Sequence, residues 1–124
     1  MKIASTHNVE HYTWPSAISP ATCDGWHLHR SATLNIIEER MPPNTAEQRH
    51  LHQRATQFFY VLAGELILEL DGEEHQLPPS TGLTVPAQTS HQVFNRGRED
   101  ARFLVISQPP SHGDRLPAAP RHSF

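Results

Sequence analysis

Apolar and polar residues alternate along this chain at the spacing of strands rather than helices. The clearest stretch follows Glu65, where Leu66, Ile67, Leu68, Glu69 and Leu70 lead into an Asp71-Gly72 pair, a strong hairpin-turn signal. Residues 73–77 read as the returning arm. Just upstream, Phe58, Phe59, Tyr60, Val61 and Leu62 form a continuous apolar run closed by Ala63-Gly64, the pattern of a buried strand that ends in a bend. Residues 26–39 are rich in β-branched and aromatic side chains and stop at Pro42-Pro43-Asn44, so they predict one long strand or two short ones. Further short strands are predicted over residues 81–85, 91–95 and 101–107. Nowhere does an apolar stripe at helical spacing persist between caps. Many short strands separated by Gly and Pro turns predict an all-β barrel or sandwich with little helix.

The flanks differ in character from this middle. Residues 1–25 are polar, broken by Pro15 and Pro20, and carry Tyr12 and Trp14 as their large rings, so they read as an irregular arm that packs by those rings. Residues 26–108 hold the strand pattern of the barrel. Residues 109–124 contain Pro109, Pro110, Pro117 and Pro120 with few apolar side chains and read as a surface tail. A chain of 124 residues fits one core, so a single domain is expected. Its net charge of −3 is spread over both signs, without the basic stripe that holds a phosphate backbone, which argues against a nucleic-acid partner. No apolar run approaches the length of a signal sequence or a membrane span, and the lone Cys23 cannot form an internal disulfide. The expected setting is the cytoplasm, without a membrane partner. Cys23 has no basic neighbour to activate it and reads as a small inert residue.

Candidate chemistry sits at the histidines. Two residues apart on a strand, His50 and His52 point to the same face while Leu51 points away, which is half of a metal site. His91 follows the Pro86 turn at the head of another apolar run and is the natural third ligand. His27 and His29 share the same spacing without a matched third ligand, so they are expected to face solvent or a partner subunit.

These segments resemble a known family. Residues 43–64, with His50-x-His52, Gln57 and Gly64, resemble the first signature of the cupins, in which the Gln57 position is usually glutamate. Residues 82–95, with Pro86, His91 and Asn95 in order, resemble the second signature. Two turn positions depart from it: Gln88 stands where glycine is usual, and the opening glycine has slipped, with Ser80 and Gly82 nearby. An intact fold with altered loops is expected. The resemblance implies a cupin double-stranded β-helix, a jelly-roll-like barrel of short antiparallel strands. It further implies one divalent transition metal (Fe, Mn, Ni or Zn) at the mouth, with His50, His52, Gln57 and His91 in the ligand positions. It also implies a homodimer, for which Phe58 and Tyr60, with Tyr12, Trp14 and Trp26, supply plausible interface area.

The glutamine alters the expected chemistry. Three neutral imidazoles and an amide leave a divalent ion its full formal charge, which favours polarisation of a substrate oxygen over a change of oxidation state. Gln57 either ligates through its weak amide oxygen or stands off and hydrogen-bonds a bound water or substrate. If it points into the mouth, Phe59 and Val61 share its face, and by the same parity Val93 and Asn95 follow His91 inward. These four residues are the expected pocket lining. It is a largely apolar wall, in which Asn95 fixes a loop. No general base stands out: Glu47 falls on the opposite face if its strand is continuous, and Glu38, Glu39 and Asp24 count only if the barrel brings them to the mouth. The expected function is a metal-dependent enzyme that polarises a small sugar-acid-like or carboxylate-like substrate for isomerisation, elimination or cyclisation. The alternatives are an iron or manganese dioxygenase and a non-catalytic barrel that binds or senses a small molecule.

Overall fold

The computed structural model describes residues 2–120. Its strands are β1 (His11–Pro15), β2 (Thr22–Arg30), β3 (Asn35–Met41), β4 (Thr45–Ala46), β5 (His50–His52), β6 (Thr56–Ala63), β7 (Leu66–Leu70), β8 (Glu73–Leu77), β9 (Gly82–Val85), β10 (His91–Asn95), β11 (Ala101–Gln108) and β12 (Arg115–Pro117). All pairings are antiparallel, in one sheet ordered β1-β2-β3-β11-β6-β9 and a second ordered β12-β5-β10-β7-β8, with β4 also on β10. The described residues contain no helix, and hence none long and apolar enough to cross a membrane.

Side-chain parity builds the core. On β6, Gln57, Phe59 and Val61 are buried while Phe58 and Leu62 are exposed, as a strand with one face inward requires. Met41, Val61, Phe103 and Val105 from the first sheet meet Leu66, Leu68 and Val93 from the second, and these residues form one apolar cluster. The β7–β8 hairpin turns at Asp71 and Gly72, both at positive φ, which is why this pair is Asp-Gly. Ser80 and Gln88 adopt φ values of 66° and 65°, so the turns keep a left-handed conformation without glycine.

Both flanks are more ordered than their composition implies. The expected arm contains β1, whose half-buried Tyr12 and Trp14 alternate with exposed neighbours, and β2 begins at Thr22 inside the arm's expected bounds. Tyr12 pairs with Gly25, where any Cβ would collide with the Tyr12 ring. The absence of that side chain lets the ring lie across the strand. At the other end, β12 adds to the free edge of β5, with Arg115 opposite His52 and Pro117 opposite His50. Positions 121–124 of the expected tail lie outside the described residues.

Gly64 ends the β6 run at φ +72°, and an added Cβ would collide with the backbone carbonyl of Asp100. Gly64→Ala should therefore lower unfolding stability by about 2 kcal/mol or more in a urea titration, since it adds a backbone clash to the left-handed penalty.

Candidate metal centre

The antiparallel pairing of β10 with β5 sets His91 opposite His50, and the alternation of β5 brings His52 to the same face. Each of the three histidines offers a ligand atom within 4.8 Å of the others, and all three are buried. The ring centroids of His50 and His91 are 4.4 Å apart, and those of His50 and His52 are 4.9 Å apart. Nδ1 of His50 lies 2.8 Å from the Gln48 carbonyl oxygen and Nδ1 of His91 lies 2.9 Å from that of Thr89. Donation at Nδ1 leaves the lone pair on Nε2.

Gln57 reaches the same space from the opposite sheet, on β6. Its Nε2 donates to Ser107 Oγ at 3.0 Å, and its Oε1 is buried without a hydrogen-bond partner. Nε2 of His91 and Nδ1 of His52 are likewise buried and unpaired. Unsatisfied buried acceptors are costly, and a cation is the partner that would satisfy such a set. Burial holds His50 and His52 at pKa values of about 4, for His52 with help from the neighbouring imidazoles, and burial also lowers His91. Neutral imidazoles with free lone pairs are what a divalent transition metal requires, so the residues fit such an ion.

Two anchors hold β5 in place. Arg49 makes a forked pair with the buried Glu69, with Nε to Oε1 at 2.7 Å and Nη2 to Oε2 at 3.1 Å. Asp114 is buried and accepts hydrogen bonds from the backbone N–H groups of Gln53, Arg54 and Ala55, the link between β5 and β6. Burial pushes the Asp114 carboxyl up, but these donors outweigh it and hold its pKa below the usual value.

Of the four residues expected to line the pocket, Phe59 lines a cavity of about 270 Å³ together with His50, His52 and Gln57. Val61 and Val93 lie deeper, in the apolar cluster. Asn95 is fully buried, donates to the carbonyls of Met41 and Glu99, and accepts from Gly97 N–H, so it ties loops together away from the cavity. The cavity is more polar than an apolar wall, because Tyr12, Glu39, Glu47 and Arg115 also line it.

Glu47 is the main surprise. Parity counted through a continuous strand turns it away, but the strand is broken: β4 ends at Ala46 and β5 starts at His50. The break rotates Glu47 inward, with Oε1 3.8 Å from His50 Nδ1. Glu39 enters from β3 and accepts a hydrogen bond from Tyr12 Oη at 2.8 Å. Burial, and then the Glu47 charge, push the Glu39 pKa up to about 8, and burial raises Glu47 as well. The other two acids stay outside: Glu38 pairs with Arg102, and Asp24 with Arg40 and His11. A register shift between His27 and His29 breaks their shared parity. Cys23 is buried, and its thiol is pushed up to about 11 by that burial.

Residues 37–107 match the family described as Cupin domain, and the chain belongs to that family. The polyketide synthase CurC of Streptomyces cyaneus is 35% identical over 69 residues, which cover 56% of this chain and 45% of CurC. Quercetin 2,3-dioxygenase of Bacillus subtilis is 45% identical over 56 residues, 45% of this chain and 17% of that enzyme. The chain thus spans less than half the length of these curated relatives. The structure of the polyketide cyclase RemF from Streptomyces resistomycificus superposes with a TM-score of 0.80 at 18% identity, over 98% of this chain and 87% of RemF, a likeness of fold.

Elemental analysis of protein purified without added metal should find a divalent transition metal at close to one per chain, and the His50→Ala/His52→Ala double variant should lose it. The histidines also set a pH dependence. With folded pKa values of about 4 against the usual 6.5, the unfolded chain binds more protons between those values. These two histidines therefore contribute a loss of stability to the metal-free protein as pH is lowered from 6.5 toward 4, opposed by Glu39, whose raised pKa adds stability over the same fall. The parent should accordingly lose more stability over that range than the His50→Ala/His52→Ala variant in urea titrations at each pH.

Proposed function

We propose that this chain is a metal-dependent enzyme that moves protons on a small oxygen-rich substrate, sugar-acid-like or carboxylate-like, in an isomerisation, elimination or cyclisation. The observation that carries this reading is a single cavity lined by His50, His52 and Gln57 together with the carboxyl groups of Glu47 and Glu39. A divalent ion held by His50, His52, His91 and Gln57 would supply a Lewis acid for a substrate oxygen. Glu47, which lines the same cavity, would take a proton from the neighbouring carbon and return it to another atom. The Tyr12–Glu39 hydrogen bond holds a further proton at the same wall. Ile37, Phe59 and Val105 line the inner side and limit water there.

Relatives named for polyketide synthesis, one of them a cyclase, support ring closure as one branch of this chemistry. Local identity to quercetin 2,3-dioxygenase supports the competing reading, in which the substrate reacts with oxygen. The outer face of β6, where Phe58 is 38% and Leu62 44% exposed, supports a homodimer built on that sheet.

Hydrogen exchange separates the two chemistries. Incubated anaerobically in deuterated water with a panel of sugar acids and β-keto acids, the protein should incorporate deuterium beside a carbonyl in a metal-dependent way. Glu47→Gln should slow that exchange by roughly a hundredfold or more while retaining metal. Oxygen uptake with the same panel and no anaerobic exchange would overturn the proposal in favour of the dioxygenase.

A further inference from the structure

The cavity does not end at the histidines. Tyr12, Glu39, Glu47 and Arg115 also line an adjoining outer chamber of about 580 Å³, which Trp14 and the residues that follow it line as well. The inner cavity alone, at about 270 Å³, falls below the usual range for an organic ligand, whereas the outer chamber lies well inside that range. A ligand that fills both chambers would place one part beside the histidines and the rest past Arg115 toward Trp14.

Two features of the outer chamber define what that remainder is. Tyr12 and Trp14 lie two apart on β1 and present aromatic surface on one face. Arg115 stands where the two chambers meet, exposed, with its Nη2 donating at 3.3 Å to the Gln48 carbonyl. Among the described residues no carboxylate lies within ion-pair distance of it. A guanidinium with open donors is built to take a planar carboxylate through a forked contact. The nearby carboxyls do not fill this role: Glu39 is tied to Tyr12 Oη, and Glu47 faces His50.

We propose that the substrate is a ring-bearing carboxylate whose acid group pairs with Arg115, whose ring lies against Tyr12 and Trp14, and whose reacting oxygen faces the histidines. The inference rests on the proton-transfer reading of the same site and assigns its substrate class. It also assigns a role to the C-terminal segment: β12 carries the anion anchor as well as covering the edge of β5.

The test is calorimetric titration of the metal-containing protein, dialysed free of excess metal, with hydroxynaphthoate and its uncharged counterpart hydroxynaphthamide. The parent should prefer the acid by roughly tenfold, the scale of a charge-assisted forked contact. Arg115→Met should abolish the preference and leave amide binding unchanged, Arg115→Lys should keep part of it, and Trp14→Ala should weaken both probes alike. Equal binding of acid and amide by the parent overturns the inference, and so does a preference that survives in Arg115→Met. The readout is binding, so it fails separately from the catalytic reading. Acid selectivity without any hydrogen exchange upholds the anchor and overturns only the chemistry, whereas exchange without selectivity overturns only the anchor.

Discussion

The antiparallel contact that places His91 opposite His50 is the constraint on which the rest of this structure depends. Three imidazoles buried within one small volume leave acceptor atoms that no protein donor satisfies. The surrounding structure holds them there nonetheless. Arg49 and Glu69 pin the residue before His50 through a buried forked pair, Asp114 gathers the three N–H groups that follow His52, and β12 covers the exposed edge of β5. A strand of three residues cannot hold such a geometry by its own ladder, so these contacts from distant parts of the chain do so.

The electrostatics of the cavity follow from the same burial. Taking ionisable groups out of water favours their neutral forms, so the imidazoles are pushed down and the Glu39 and Glu47 carboxyls are pushed up. One environment thus prepares two kinds of chemistry: nitrogen lone pairs free for a cation, and in Glu39 a carboxyl group able to exchange a proton near neutrality. Tyr12 joins this set because Gly25 leaves room for its ring, a case in which the absence of one side chain positions another. Arg115 adds a positive charge at the outer rim, where it lowers the carboxyl and imidazole pKa values together.

The strand pattern was legible wherever alternation or a turn signal was strong. Residues 73–77 and 91–95 coincide with β8 and β10, and the Asp71-Gly72 turn is where the pair of residues places it. Parity also separated Phe59 and Val61 from Phe58 and Tyr60 on β6. It failed at Glu47, because counting by twos holds only along an unbroken strand and the link between β4 and β5 rotates the backbone. Composition misled at the start of the chain, where a polar, proline-broken segment still forms β1 by pairing with β2, while the proline-rich tail stays on the surface as read and adds β12 to the edge of β5.

From its sequence alone, this chain determined the all-β class, the family and the grouping of His50, His52 and His91, because spacing along a strand and the turns that end it are local properties. The tertiary structure decided the rest: that Glu39, Glu47, Tyr12 and Arg115 share the histidines' cavity, and that Val61, Val93 and Asn95 do not line it. Those placements depend on which strands pair, where a strand breaks and what covers an edge. All but the placement of Glu47 join residues far apart in the chain, and Glu47 turns on a strand break that counting by twos does not reveal.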